Sequence, residues 1–238
     1  MPLREEQRTK IRSIFTAYLQ ARAKNLTKLK LSDMKFNVVQ LRATGTMLDL
    51  KSPEDLLRYR LAQHLERGAV TAMGGALQRI ARELSGSGSG VAGADIEVSR
   101  DGRRYFVQVK SGPDTANKDI AQNIATLLNS ARARDPAAVC VLGVCYARPE
   151  QISPIAKREL EARGVGLKVG REFWEFVSGE PACLEEILEV AGEVGDAIEA
   201  TLGAQVEAKV RELVADFASM YGAQLDDATW KRFLANNS

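Results

Sequence analysis

Residues 93–110 read GADIEVSRDGRRYFVQVK. Two stretches within this run, 94–99 and 104–110, have the composition of strands. Asp101-Gly102 between them tolerates the positive φ that a tight hairpin turn demands. With these two residues at the centre of the turn, Arg100 pairs with Arg103 and Asp95 falls directly opposite Gln108. Side chains alternate across a strand, so Asp95 shares a face with Glu97, and Gln108 shares one with Lys110. In this register all four functional groups converge on one patch of sheet. A longer loop would slip the pairing and separate the faces.

On either side of the hairpin the period is helical. Residues 4–30 space Ile11, Ile14, Phe15, Tyr18 and Leu19 as a helix does, with basic residues filling the other faces. Ser52-Pro53-Glu54-Asp55 is a helix start, because Ser caps well, Pro suits the first turn and early acids suit the helix dipole. That helix runs toward His64 and Glu66. A separate helix is expected over 69–84, where Gly74-Gly75 allows close approach to its backbone, and the SGSGSG run at 85–90 then ends it as a flexible loop. After the hairpin, 118–134 is helical through Ile120, Ile124, Leu127, Leu128 and Ala131. The apolar run 139–146 is a buried central strand, 155–163 a helix stopped by Gly164, and 165–169 a short strand. Residues 184–220 read as two helices with a break near Gly203. The order strand, strand, helix, strand, helix, strand predicts an α/β fold with a mixed central sheet flanked by helices, plus N- and C-terminal helical segments. By composition the chain divides into a basic region, 1–60, a core, 61–180, and an acidic region, 181–238, within one compact domain.

Charge is unevenly spread. Residues 1–60 carry 13 Lys/Arg against 6 Asp/Glu, residues 61–171 carry 16 against 11, and residues 172–238 carry 4 against 14. A polyanion is drawn to the first two segments and repelled by the third. Cys140, Cys145 and Cys183 form no even-numbered disulfide framework, and the lone His64 completes no zinc site with them; Cys140 and Cys145 read as apolar strand residues. No apolar run approaches the roughly 20 residues that span a bilayer, and the N-terminus lacks a signal-peptide core. A soluble, cytoplasmic protein is expected.

The patch of sheet has the groups that phosphodiester hydrolysis requires. A carboxylate with other oxygen ligands holds a hard divalent cation, which polarises a phosphoryl oxygen and acidifies a water, while an ammonium neutralises the developing charge. Asp95 is the best metal ligand, with the Gln108 amide oxygen or the Val109 carbonyl completing the site. Lys110 orients the attacking water or stabilises the transition state. For Glu97, pairing with Arg104 and metal binding are both open. Phe173, Trp174 and Phe176 read as core residues.

The spacing of Asp95 and Glu97 followed by Gln108-Val109-Lys110 resembles the PD-(D/E)XK nuclease superfamily. Residues 110–119 (KSGPDTANKD), 173–179 (FWEFVSG) and 31–37 (LSDMKFN) are similar to type II restriction endonucleases within it. Two positions depart from the pattern. Gln108 stands where the motif has an acid, as in relatives of the Mrr nucleases, and Ala94 stands where it has Pro. The helix-borne residue that supports such sites matches Gln78, with Glu83 and Glu66 as alternatives. The resemblance implies a Mg2+-dependent homodimer that hydrolyses both strands of DNA at a short site. The basic N-terminal region and the loop after Lys110, with Ser111, Asn117 and Lys118, would face the DNA. A cognate DNA methyltransferase would protect the host without being a stable partner. Two rivals remain. One is a modification-dependent or structure-specific nuclease of the same superfamily, and the other a catalytically silent DNA-binding protein in which Gln108 marks a decayed site.

Overall fold

The hairpin forms in the expected register. In the computed structural model, which describes residues 2–86, 90–113 and 118–237, β1 (Ile96–Arg100) and β2 (Arg103–Lys110) pair antiparallel with Arg100 opposite Arg103 and Ile96 opposite Val107. Asp101 and Gly102 take φ of 50° and 72°, the left-handed pair that a two-residue turn requires. β3 (Val139–Val144) then pairs parallel with β2, and β4 (Val165–Val169) parallel with β3, giving a mixed sheet of order β1-β2-β3-β4. Parallel neighbours need a crossover, and the helices α4 (Lys118–Arg132) and α5 (Pro154–Glu161) supply them.

The two faces of the sheet are covered differently. Phe106, Cys140, Leu142, Val144, Val165 and Val169 join one core with Ile124, Ala125 and Leu128 of α4 and Ala156 and Leu160 of α5. On the opposite face, α6 (Arg171–Ser178) packs so closely that a Cβ at Gly143 would overlap the Phe173 ring. Tyr105 meets Phe176 edge-on at 5.0 Å, and the buried Trp174 donates its indole N–H to the Cys145 carbonyl at 2.8 Å. Phe173 and Trp174 are buried core residues, as the sequence suggests, whereas Phe176 is half-buried with the Lys168 ammonium 5.1 Å from its ring centroid.

By its contacts the chain forms two compact units, residues 1–18 with 72–195 and residues 19–71 with 196–238. The first holds the sheet. Within it, Arg8 of α1 (Glu5–Lys28) pairs with Glu186, Glu189 and Glu193, and Arg12 pairs with Glu193. The second unit is helical. Its core joins Leu26, Leu41, Leu56, Leu57 and Leu61 to Leu213, Phe217, Trp230 and Phe233. Lys209 is buried there without an uncompensated charge, because its ammonium donates to the Thr27 and Leu29 carbonyls and to Glu212. The units follow contact rather than the composition segments 1–60, 61–180 and 181–238.

Eight α-helices are found among the described residues. Two expectations are corrected. Residues 53–85 are one helix, α3 (Pro53–Ser85), and residues 183–220 are one helix, α7 (Cys183–Met220), so neither Gly68, Gly74-Gly75 nor Gly203 interrupts. An interior Gly costs only about 1 kcal/mol relative to Ala, which packing outweighs. Two short helices, α2 (Val38–Thr44) and α8 (Asp227–Ala235), lie where no element is expected. Half of the SGSGSG run, residues 87–89, lies outside the described residues. No described helix is long and apolar enough to cross a membrane.

Candidate functional site

Asp95 sits immediately before β1 and donates its backbone N–H to the Val107 carbonyl at 2.9 Å. The paired register ends at Ile96 opposite Val107, so Asp95 adds a second residue against Val107, and the expected pairing of Asp95 with Gln108 is not part of the ladder. The Asp95 carboxylate accepts the Val109 N–H at 2.8 Å through Oδ2, a bond that fixes the carboxylate against the end of β2. The N–H and C=O of one strand residue point to the same side, so the Val109 carbonyl also faces Asp95, beyond the point where β1 begins.

The turn before Asp95 is tightly determined. Gly93 has φ of 97°, and a Cβ there would strike the Leu127 carbonyl of α4. Its own carbonyl accepts Nε2 of Gln108 at 3.2 Å. Gln108 is 8% exposed, and this bond orients its amide so that Nε2 is committed and Oε1 is the acceptor end. Lys110 closes β2 half-buried, its carbonyl accepting the Cys145 N–H at 2.8 Å, and its ammonium makes no ion pair among the described residues.

Gln78 lies on the face of α3 that meets this corner. One turn before it, a Cβ on Gly74 would stand 3.6 Å from the Ser111 hydroxyl. One turn after it, Arg82 donates from Nη2 to the Asp95 carbonyl at 3.4 Å, and Arg82 Nε is buried without a hydrogen-bond partner. Residues four apart share a helix face, so Gln78 is bracketed by two contacts to the segments that carry Asp95 and Lys110. Glu83 instead pairs with Lys10 at 3.4 Å. Glu66 is exposed and belongs to the second unit. Glu97 approaches Arg104 at 3.6 Å, and Arg104 also reaches Asp135 at 3.2 Å, so the Glu97 carboxylate has a cationic neighbour of its own.

Of the residues expected at DNA, Ser111 follows Lys110 directly and accepts the Tyr146 N–H on its carbonyl, and Lys118 is exposed at the start of α4. Asn117 lies outside the described residues. Among those described, no three His, Cys, Asp or Glu side chains cluster as a metal site would.

A family model for the type II restriction endonuclease EcoO109I matches residues 5–197. The chain belongs to that restriction endonuclease family. No curated protein matches it. As a type II restriction endonuclease it is a hydrolase, a site-specific deoxyribonuclease whose substrate is DNA. The matched span holds Gln78, Asp95, Gln108 and Lys110 together with the 173–179 segment.

The donors around Asp95 in this restriction endonuclease suit a hard divalent cation, being a carboxylate, an amide oxygen and a peptide carbonyl, all oxygen. Only one of them is charged. Sequence reasoning missed the Gly93 carbonyl that orients Gln108 and the Arg82 contact behind Asp95. The spacing 74, 78, 82 was visible, but only the docking of α3 shows which face of the helix it marks.

Proposed function

We propose that this restriction endonuclease has a PD-(D/E)XK core and hydrolyses both strands of double-stranded DNA at a specific short site, with Mg2+ as cofactor. The observation that carries the reading is the Asp95 carboxylate hydrogen-bonded to Val109 between Gln108 and Lys110. Asp95, the Val109 carbonyl and Gln108 Oε1 would hold the cation. Bound there, it supplies Lewis acidity toward the phosphoryl oxygen and lowers the pKa of a water. The protein's own groups do the rest. The Val109 N–H keeps the Asp95 carboxylate in place, Gly93 keeps the Gln108 amide oxygen turned away from its carbonyl, and the Lys110 ammonium offsets negative charge that grows on the phosphate during attack. Gln78, and not Glu97, is the better-placed supporting side chain. Ser111, Asn117 and Lys118 would contact the DNA backbone.

The active species in this proposal is a cytoplasmic homodimer, since two equivalent sites cut two antiparallel strands, and its site is palindromic or nearly so. A cognate methyltransferase would protect host DNA without binding the enzyme stably. The neutral Gln108 favours one second reading, a modification-dependent nuclease of the same superfamily. Unmethylated and methylated phage DNA, each incubated with Mg2+ or with EDTA, alongside Lys110→Ala, tests both. Discrete fragments from unmethylated DNA that require Mg2+ and Lys110 support the first reading, and cleavage of methylated DNA alone supports the second. Retention of DNA without any Mg2+-dependent cut would instead indicate a silent binding protein.

A further inference from the structure

The second unit contains a cationic cleft that the catalytic patch does not use. The end of α1, the short turn at 31–33 and the middle of α3 enclose two adjoining hollows that share Asp33 and His64. The more enclosed one, about 230 Å³, is smaller than the roughly 300–1,000 Å³ typical of organic-ligand pockets. Its scale suits a small anionic group.

We propose that this cleft, through Arg22, Lys28, Lys35, Arg60, His64 and Arg67, binds backbone phosphate of double-stranded DNA; the inference rests on the nuclease reading above. Among the described residues none of the five Lys and Arg side chains makes an ion pair. Arg8 and Arg12, from the same basic N-terminal region, are by contrast committed to the acids of α7. Asp33 lines both hollows, and its carboxylate accepts the Lys30 N–H at 2.9 Å.

Arg60 is the fixed element of the cleft. Its guanidinium donates to Gln63 and to the Lys35 carbonyl, lies 5.5 Å from the Phe36 ring centroid, and has a buried Nε without a partner. Every one of these neighbours is neutral. Burial, with Arg67 nearby adding repulsion, pushes its pKa down, which is the mark of a cation lacking an anion. A phosphate diester would supply that anion, and it would do so without reading sequence, because phosphate contacts position a protein on DNA and carry no base information.

The test measures DNA affinity of the full chain by fluorescence anisotropy, without divalent cation, across a potassium chloride series. Lys35 and Arg67 are both exposed, so Lys35→Ala with Arg67→Ala leaves the core intact. Each lost phosphate contact lowers the slope of log K against log salt by about 0.9, so the double variant should lose about 2 from the wild-type slope, equally on unrelated sequences. Lys51→Ala with Arg211→Ala removes the same charge elsewhere in the unit and should keep the wild-type slope. Lys28→Ala with Arg67→Ala gives a second reading should the first pair fail to fold. If the wild type binds steeply and the cleft variants match it, or if the control pair loses as much, the cleft assignment is overturned while the nuclease reading stands. A wild type that binds no DNA overturns both.

Discussion

Gln108 has two tasks that a carboxylate would divide differently. Its Nε2 holds the Gly93 carbonyl, and in the proposed site its Oε1 is a neutral metal ligand. Gln108→Glu therefore trades one task for the other. A second carboxylate beside Asp95 raises the charge on the donor set, so half-maximal cleavage should need roughly several-fold less Mg2+. The Gly93 carbonyl then loses its donor and faces an anion, a cost of about 1 kcal/mol or more that should lower the melting temperature by a few degrees. A Mg2+ titration of cleavage alongside thermal melting reads both. An unchanged Mg2+ requirement would place Gln108 outside the metal site. The cysteines offer a second test at this scale. Burial pushes the Cys145 thiol up to about 12 and the Cys183 thiol up to about 11, and it raises Cys140 as well. Since the thiolate is the nucleophile, all three should resist a thiol reagent at about pH 8 and react only as the protein unfolds. Rapid labelling of native protein would show that one of them is reached by solvent.

Among the elements, the start of α3 was legible from four residues. Ser52 Oγ accepts the Asp55 N–H at 3.2 Å and Asp55 accepts the Ser52 N–H at 2.9 Å, a reciprocal cap that the Ser-Pro-Glu-Asp run announces. The Ser52 hydroxyl, aided by backbone donors and Lys51, holds the Asp55 carboxyl below its usual pKa. A depressed folded pKa means the contribution is complete above the unfolded value of about 3.9 and is lost as pH falls through the folded one. Asp55→Asn should therefore cost about 1 kcal/mol at neutral pH, with the gap to wild type closing in acid. Urea unfolding at both pH values checks it, and a gap independent of pH would mean that the carboxylate is not responsible. Strands and the hairpin register were equally legible, because a period of two and an Asp-Gly turn act locally. Helix ends were not. The boundary expected between 66 and 69 and the break expected near Gly203 are both absent, because an interior glycine costs only about 1 kcal/mol and a long helix runs through it. Gly143 shows the reverse case, where the neighbour dictates the residue. Gly143→Ala drives a methyl into the Phe173 ring and should destabilise the sheet unit by about 1–3 kcal/mol.

For the whole molecule, charge patterning indicated where DNA would be drawn but not which cations are available for it. Arg8 and Arg12 belong to the basic N-terminal region, yet they are bound to Glu186, Glu189 and Glu193 from the acidic C-terminal one. Only folding brings those two regions together, so a count along the chain cannot subtract one from the other. Likewise Asp95, Gln108 and Lys110 were legible as a candidate set because neighbouring segments of one hairpin carry them, whereas the place of Gln78 and Arg82 beside that candidate site depends on the docking of α3, which local pattern leaves open. Assembly is the remaining step from one site to two cuts. In a homodimer each protomer's Lys110 serves one strand, so dimers formed between wild type and an excess of Lys110→Ala should nick rather than linearise a plasmid bearing one recognition site. The expected gel shows supercoiled DNA accumulating as open circles in proportion to the mixed dimers, with linear DNA falling as the square of the wild-type fraction. A monomer that makes both cuts in sequence would behave differently. Linear product would then decline only in simple proportion to dilution, no excess of open circles would appear, and the two-fold assembly would have to be abandoned in favour of one site that turns between strands.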